Sequence, residues 1–186
     1  MKKQILVLSL IALASCTYND RKISLNLNIE QNQHTISKAT ALKISVVEYR
    51  QDPQVIGTKK IGDAKVNLTS DQNLAIMLHD KISQSLFAQG FKKGNDKQLE
   101  FRIEEFRFKA ERHFFIGKSD AEAKIKAIIT DAKGNVKFTK TFELSLKNKH
   151  FIASFETTDE ETINQLLNDV AQDIVSDKSL LENLVK

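Results

Sequence analysis

A single cysteine, Cys16, excludes any internal disulfide, and a free exposed thiol would be a liability in an oxidising compartment. The apolar run that precedes it, Ile5 to Ala14, is too short to span a bilayer, which takes about 20 residues. Zinc spacings such as H-E-x-x-H or C-x-x-C, the G-x-S-x-G elbow, the phosphate loop and the dinucleotide fingerprint are all missing. His34, His79, His113 and His150 lie far apart in the chain, so no metal or other cofactor is implied. Basic residues do not gather into a stripe with interleaved aromatics, which argues against nucleic acid as a partner.

What is present begins at the N-terminus. Lys2 and Lys3 form a positive region, the apolar run follows, and Ala14 and Ser15 place small side chains directly before Cys16, the pattern of a secretory signal. Leu13-Ala14-Ser15-Cys16 resembles the lipobox of bacterial lipoprotein precursors, which implies cleavage between Ser15 and Cys16 and acylation of the cysteine. Two or three acyl chains at about 0.8 kcal/mol per buried CH₂ make dissociation from a membrane negligible. Residues 1–15 are thus read as a cleaved signal peptide, 16–40 as a lipidated tether with a short strand, and 41–186 as a single domain. Removing Lys2 and Lys3 from 28 basic residues leaves 26 against 24 acidic ones, a nearly balanced surface.

Alternating apolar residues at Ile23, Leu25, Leu27 and Ile29, and again from Leu42 to Val46, predict two strands, the second bulged near Val47. Residues 51–69, with the only proline, read as irregular apart from a short strand at Lys65 to Leu68. Thr69 to Gln72 offers a cap for a helix whose Leu74, Leu78, Ile82 and Leu86 recur every four residues and which Gly90 ends. A long strand from Leu99 carries a phase slip at Glu104-Glu105. Ala121 to Ile129 and Val136 to Leu146 form a hairpin about Asp131 to Asn135, and small residues in its first arm leave room for helices. Lys140 falls on the apolar phase, which patterning does not explain. Thr158 to Glu161 reads as a capping box before Ile163, Leu166, Leu167, Val170 and Ile174, and a last helix carries Leu180, Leu181 and Leu184. The order β-β-α-β-β-β-α-α gives an α+β fold, a mixed, mostly antiparallel sheet of four to five strands with two main helices on one face.

The segments MLHDKISQSLFAQGF, LEFRIEEFRFKAE, AKIKAIITDAKGNVKFTKTF and INQLLNDVAQDIVSDKSLLENL, after a lipobox, are similar to the YajG family of bacterial lipoproteins. That resemblance implies envelope localisation, no catalytic motif, and one functional residue carried over, Cys16. Glu104 and Glu105 could pair as catalytic carboxylates only if a bulge turned them to one face. Thr17 after the cysteine, where aspartate favours inner-membrane retention in well-studied systems, implies an outer-membrane anchor facing the periplasm. The expected function is a non-catalytic binding or scaffolding domain meeting an envelope protein or cell-wall component; the alternatives are an accessory subunit of an envelope transport system or a cell-wall hydrolase. Phe114, Phe115 and Ile116 should finish at the same end of the sheet as Phe151 and Ile152, either capping the core or forming a partner-docking patch.

Overall fold

The structure, a computed structural model, describes the backbone of residues 20–30, 40–113, 116–151 and 155–186, and their side chains except those of 112, 113, 116, 150, 151 and 155–158. In chain order the elements are β1 (Arg21–Lys22), β2 (Ala41–Glu48), β3 (Val55–Ile61), β4 (Ala64–Thr69), α1 (Leu74–Ala88), β5 (Lys92–Lys93), β6 (Lys97–His113), β7 (Ile116–Asp131), β8 (Val136–Phe151), α2 (Phe155–Ser176) and α3 (Lys178–Val185).

The expected α+β class holds, with helices on one face of one sheet. The sheet itself differs from expectation: among the described residues it has 8 strands rather than four to five. It is mixed without being mostly antiparallel. β1–β4, β2–β5, β2–β6 and β3–β6 are parallel pairs, whereas β3–β4, β6–β7 and β7–β8 are antiparallel. The strands missed include β3, within the stretch read as irregular, and the two-residue β5, whereas β4 covers the expected short strand at Lys65 to Leu68; Gly62, at φ 59, makes a tight turn between β3 and β4. Little apolar alternation marks this hairpin, because Lys59 stands at a buried position of β3.

β6 organises the sheet. Its first half pairs with β2 and its last residues with β3 on the same edge, while β7 runs along the whole of the other edge. The phase slip at Glu104-Glu105 is a bulge, with the register shifting between Ile103 and Glu105. β2 carries no bulge; its pairing with β6 is continuous from Leu42 to Glu48. Between β2 and β3 the chain loops away, and Arg50 fills the gap. Its guanidinium donates to both Glu48 carboxylate oxygens at 2.8 and 2.7 Å, to the Pro53 carbonyl at 3.0 Å, and to the Val55 and Phe106 carbonyls at 3.2 Å each. All five N–H donors are used, so a buried charge replaces a missing stretch of ladder. Where β3 meets β6 again, a Cβ on Gly57 would lie 2.5 Å from the Phe108 carbonyl oxygen, so this close approach requires glycine.

Leu74, Leu78, Ile82 and Leu86 bury the inner face of α1, and Gly90, at φ 100, terminates it as expected. The cap is Asn73, whose side chain accepts from the Ile76 N–H, rather than the Thr69–Gln72 segment. α2 begins at Phe155, before the expected capping box. Asp159 is instead buried in an ion pair with Lys59 of β3 at 2.5 Å, with side chains only 3% and 6% exposed. Ala121, Ala123 and Ala127 lie fully beneath the helix layer. Lys140 points to that layer too: its ammonium meets Asp177 at 2.5 Å, and the other oxygen of Asp177 caps α3 through the Leu180 N–H. The apolar phase of Lys140 is thus the price of a link between β8 and the α2–α3 junction.

Candidate functional site

The segment after β1 is extended, as its alternation predicts, yet it is not a sheet strand beyond Lys22. It forms a strap across the helix layer. The Ile23 N–H still reaches the Thr69 carbonyl at 2.8 Å, continuing the β1–β4 pairing. Beyond it, Ile23, Leu25 and Leu27 push into the core while Ser24, Asn26 and Asn28 face outward.

Extended backbone laid on helices would leave its polar groups without ladder partners, which is costly where water is excluded. Side-chain amides solve this. Gln72, just before α1, accepts from the Leu25 N–H at 2.6 Å. On α2, Asn164 accepts from Asn26 at 2.7 Å, Asn168 from Asn28 at 2.8 Å, and Gln172 from Glu30 at 2.9 Å. Asn164 also donates to the Ser24 carbonyl at 3.0 Å.

The spacing follows from geometry. Four helical residues rise about 6 Å and two extended residues about 6.6 Å, so each helical step falls slightly short of the strap. Gln172, one methylene longer than the asparagines, makes up the accumulated difference. From sequence alone the strap's alternation was visible, but its partners were not. Asn164, Asn168 and Gln172 look like an ordinary solvated helix face; their spacing of four residues, matched to the two-residue period of the predicted strand at Ile23 to Ile29, is the available signal.

Between the strap and α2 lies an open, polar cleft of about 720 Å³ whose walls include Arg21, Glu160, Glu161 and Asp169. On its other side the strap faces α1, and a small cleft of about 120 Å³ is lined by Asn28 and Ile29 together with Lys81, Gln84 and Ser85. The strap is therefore seated between the two long helices.

Among the described residues the opposite face of β6–β8 carries no helix, and it is covered with charge. The bulge turns Glu104 and Glu105 to this one face. Each faces a cation: Glu105 meets Arg107 at 2.5 Å, and Glu104 lies 4.0 Å from Lys124, which also pairs with Glu143 at 3.0 Å. Arg107 further pairs with Glu122 across the strands and holds its carboxyl below the usual range. Arg102 sits 5.3 Å from the centroid of the Tyr49 ring. Among the described residues no group of three His, Cys, Asp or Glu side chains is placed to hold a metal ion.

Ser15, Cys16, Phe114, Phe115 and Ile152 lie outside the described residues, as do the side chains of Ile116 and Phe151. The backbone pairing of Ile116 with Phe151 brings these two segments to one end of the sheet. A Phe114→Ala, Phe115→Ala variant separates their two readings. If they dock a partner, the melting transition stays nearly unchanged and co-purification weakens; if they cap the core, stability falls by about 3–5 kcal/mol per phenylalanine.

Residues 28–184 match the sequence model of Lipoprotein_16, a family of uncharacterized lipoproteins. The chain belongs to this family. The YajG resemblance is borne out, and the match takes in the strap's last three residues, every described strand after β1, and the described helices as far as Leu184. The lipoprotein's fold is similar to that of protein XCC0632 from Xanthomonas campestris, with a TM-score of 0.56 and 13% identity over 87% of this chain and 94% of that one. A minor lipoprotein from Acinetobacter baumannii gives a TM-score of 0.44 at 14% identity, covering 77% of this chain and 92% of the other. For rare lipoprotein B from Shewanella oneidensis the values are 0.40 and 8%, with 75% and 98% covered. None of the curated proteins matches the lipoprotein's sequence. Among the described residues no helix is long and apolar enough to cross a membrane.

Proposed function

We propose that this bacterial lipoprotein is cut between Ser15 and Cys16, acylated on Cys16 and held on the periplasmic side of the outer membrane, where its domain works by binding an envelope protein or cell-wall component rather than by catalysis. The observation that carries this reading is the strap. Eleven residues, Asp20 to Glu30, lead directly from the lipobox region and are fastened to α2 and to Gln72 just before α1, as an anchored module needs if the membrane attachment is to position the domain.

A hydrolase would need a proton donor whose acidity is weakened. On the exposed sheet face Arg107 acts on Glu122 in the opposite direction. The acids there serve as one sign of a cross-strand charge pattern, which suits a recognition surface with polar complementarity.

The test is incorporation of a palmitate analogue. The wild-type protein should take up the label and fractionate with outer-membrane vesicles, and Cys16→Ala should remain unlabelled. Labelling of the variant, or wild-type protein found mainly in inner-membrane vesicles, contradicts the reading.

A further inference from the structure

We propose that anionic phospholipid headgroups lie against one end of the sheet, the end marked by Lys60, Lys65, Lys118 and Lys149, and that the domain stands upright on the membrane from there. The inference rests on the acylation of Cys16 proposed above and adds the orientation that follows from it.

The first observation is length. A free tether from Cys16 to Thr40 would be 24 residues long and reach roughly 80 Å. The strap removes most of that. From Cys16 to Asp20, the first residue before β1, there are only four Cα–Cα steps, about 15 Å at most. β1 runs parallel to β4 with Arg21 opposite Leu68, so the tether enters at the side where β4 begins and the Gly62-Asp63 turn lies. Continuing the register sets Asp20 level with Asn67, about 10–15 Å from that turn. The acyl chains are thus confined to the neighbourhood of this end. The β7–β8 turn, at the other end of β6, is about 50 Å away.

The second observation is charge. Following the register across the sheet at this end, Lys65 opposes Lys60, Lys60 opposes Glu111, Glu111 opposes Lys118, and Lys118 opposes Lys149. Directly opposed residues share a face, so four exposed lysines and one glutamate form a single row over five strands. The next row on this face adds Lys109 and Lys147 against Asp120. Asp63 and Asp20 bring two further acids, and the end remains positive. Farther along the face the balance reverses, with Arg107 and Lys124 set among Glu104, Glu105, Glu122 and Glu143. A basic cluster beside a short membrane tether is complementary to a leaflet containing phosphatidylglycerol, and its attraction reaches only about a Debye length, roughly 10 Å at 0.1 M salt.

The experiment uses full-length acylated protein in vesicles of phosphatidylethanolamine and phosphatidylglycerol, with a fluorophore on Asp63→Cys or Lys133→Cys and a nitroxide on the lipid headgroup. Cys16 being acylated, the introduced thiol is the only reactive one. Headgroup nitroxide should remove at least half of the emission at position 63 and less than a tenth at position 133. In phosphatidylcholine vesicles, in 0.5 M salt, or in a variant with all four lysines changed to glutamate, quenching at position 63 should fall at least twofold. Equal quenching at the two positions overturns the orientation. Strong quenching at position 63 that neither neutral lipid nor salt diminishes overturns the role of the lysines, and that comparison needs no variant to fold. The mass of the N-terminal peptide from the same sample separates the two proposals: acylated Cys16 with equal quenching refutes this inference alone, whereas unacylated Cys16 refutes the proposed function beneath it.

Discussion

Asp159→Asn is expected to lower the stability of the domain by about 3–5 kcal/mol, because it removes the carboxylate that meets the buried Lys59 ammonium in the interface between β3 and α2. The pair is separated by 100 residues, and its 2.5 Å contact is nearly sealed from water. An exposed pair of the same geometry would contribute at most about 1 kcal/mol, so burial decides the size of the effect. For a domain of this length the loss corresponds to roughly 6–20 °C in melting temperature. The double variant Lys59→Met, Asp159→Leu should regain most of it, since exchanging both groups for apolar ones takes the buried charges out of the interface. Urea unfolding followed by circular dichroism measures both. A single variant within 1 kcal/mol of wild type would mean that the pair is hydrated and that α2 is held by its apolar face alone.

Arg50→Lys should be almost as damaging, about 2–4 kcal/mol, although the charge is retained. Lysine has three donors on a single nitrogen and cannot reproduce the planar fork that holds Glu48 at two oxygens while bridging three carbonyls. The expected result includes a local signature: the amides of residues 49–55 and 104–107 should exchange faster, because the loop between β2 and β3 loses its only side-chain bridge to the Phe106 carbonyl among the described contacts. Unchanged exchange there, with unchanged stability, would assign the guanidinium no part in closing the gap.

These two residues also mark where the sequence was opaque. Periodicity revealed α1, the arms of the β7–β8 hairpin, the bulge in β6 and the apolar stripe of α2, because in each the apolar residues face a single core. It failed for β3, where a buried lysine occupies a core position and its partner lies 100 residues away. Nothing local distinguishes such a lysine from a solvated one. Lys140 is the same case, its position explained only by Asp177. The strap is legible as extended chain but reads as a strand, since alternation reports the backbone's two-residue period and not the identity of its neighbour. The family could be read directly, because the segments that carry its resemblance are each contiguous in the chain. The basic end of the sheet could not, because Lys60, Lys65, Lys118 and Lys149 come together only through the pairing of five strands.

The central claim is that the strap converts a long tether into a short one, and amide hydrogen exchange of the full-length protein tests it most directly. The N–H groups of Leu25, Asn26, Asn28 and Glu30, each held by a side-chain amide of Gln72, Asn164, Asn168 or Gln172, should exchange at least a hundredfold more slowly than unstructured chain. Asn168→Ala should release Asn28 in particular. Exchange at the rate of unstructured chain throughout residues 24–30 would contradict the account, leaving the domain on a tether long enough to face the membrane in any direction.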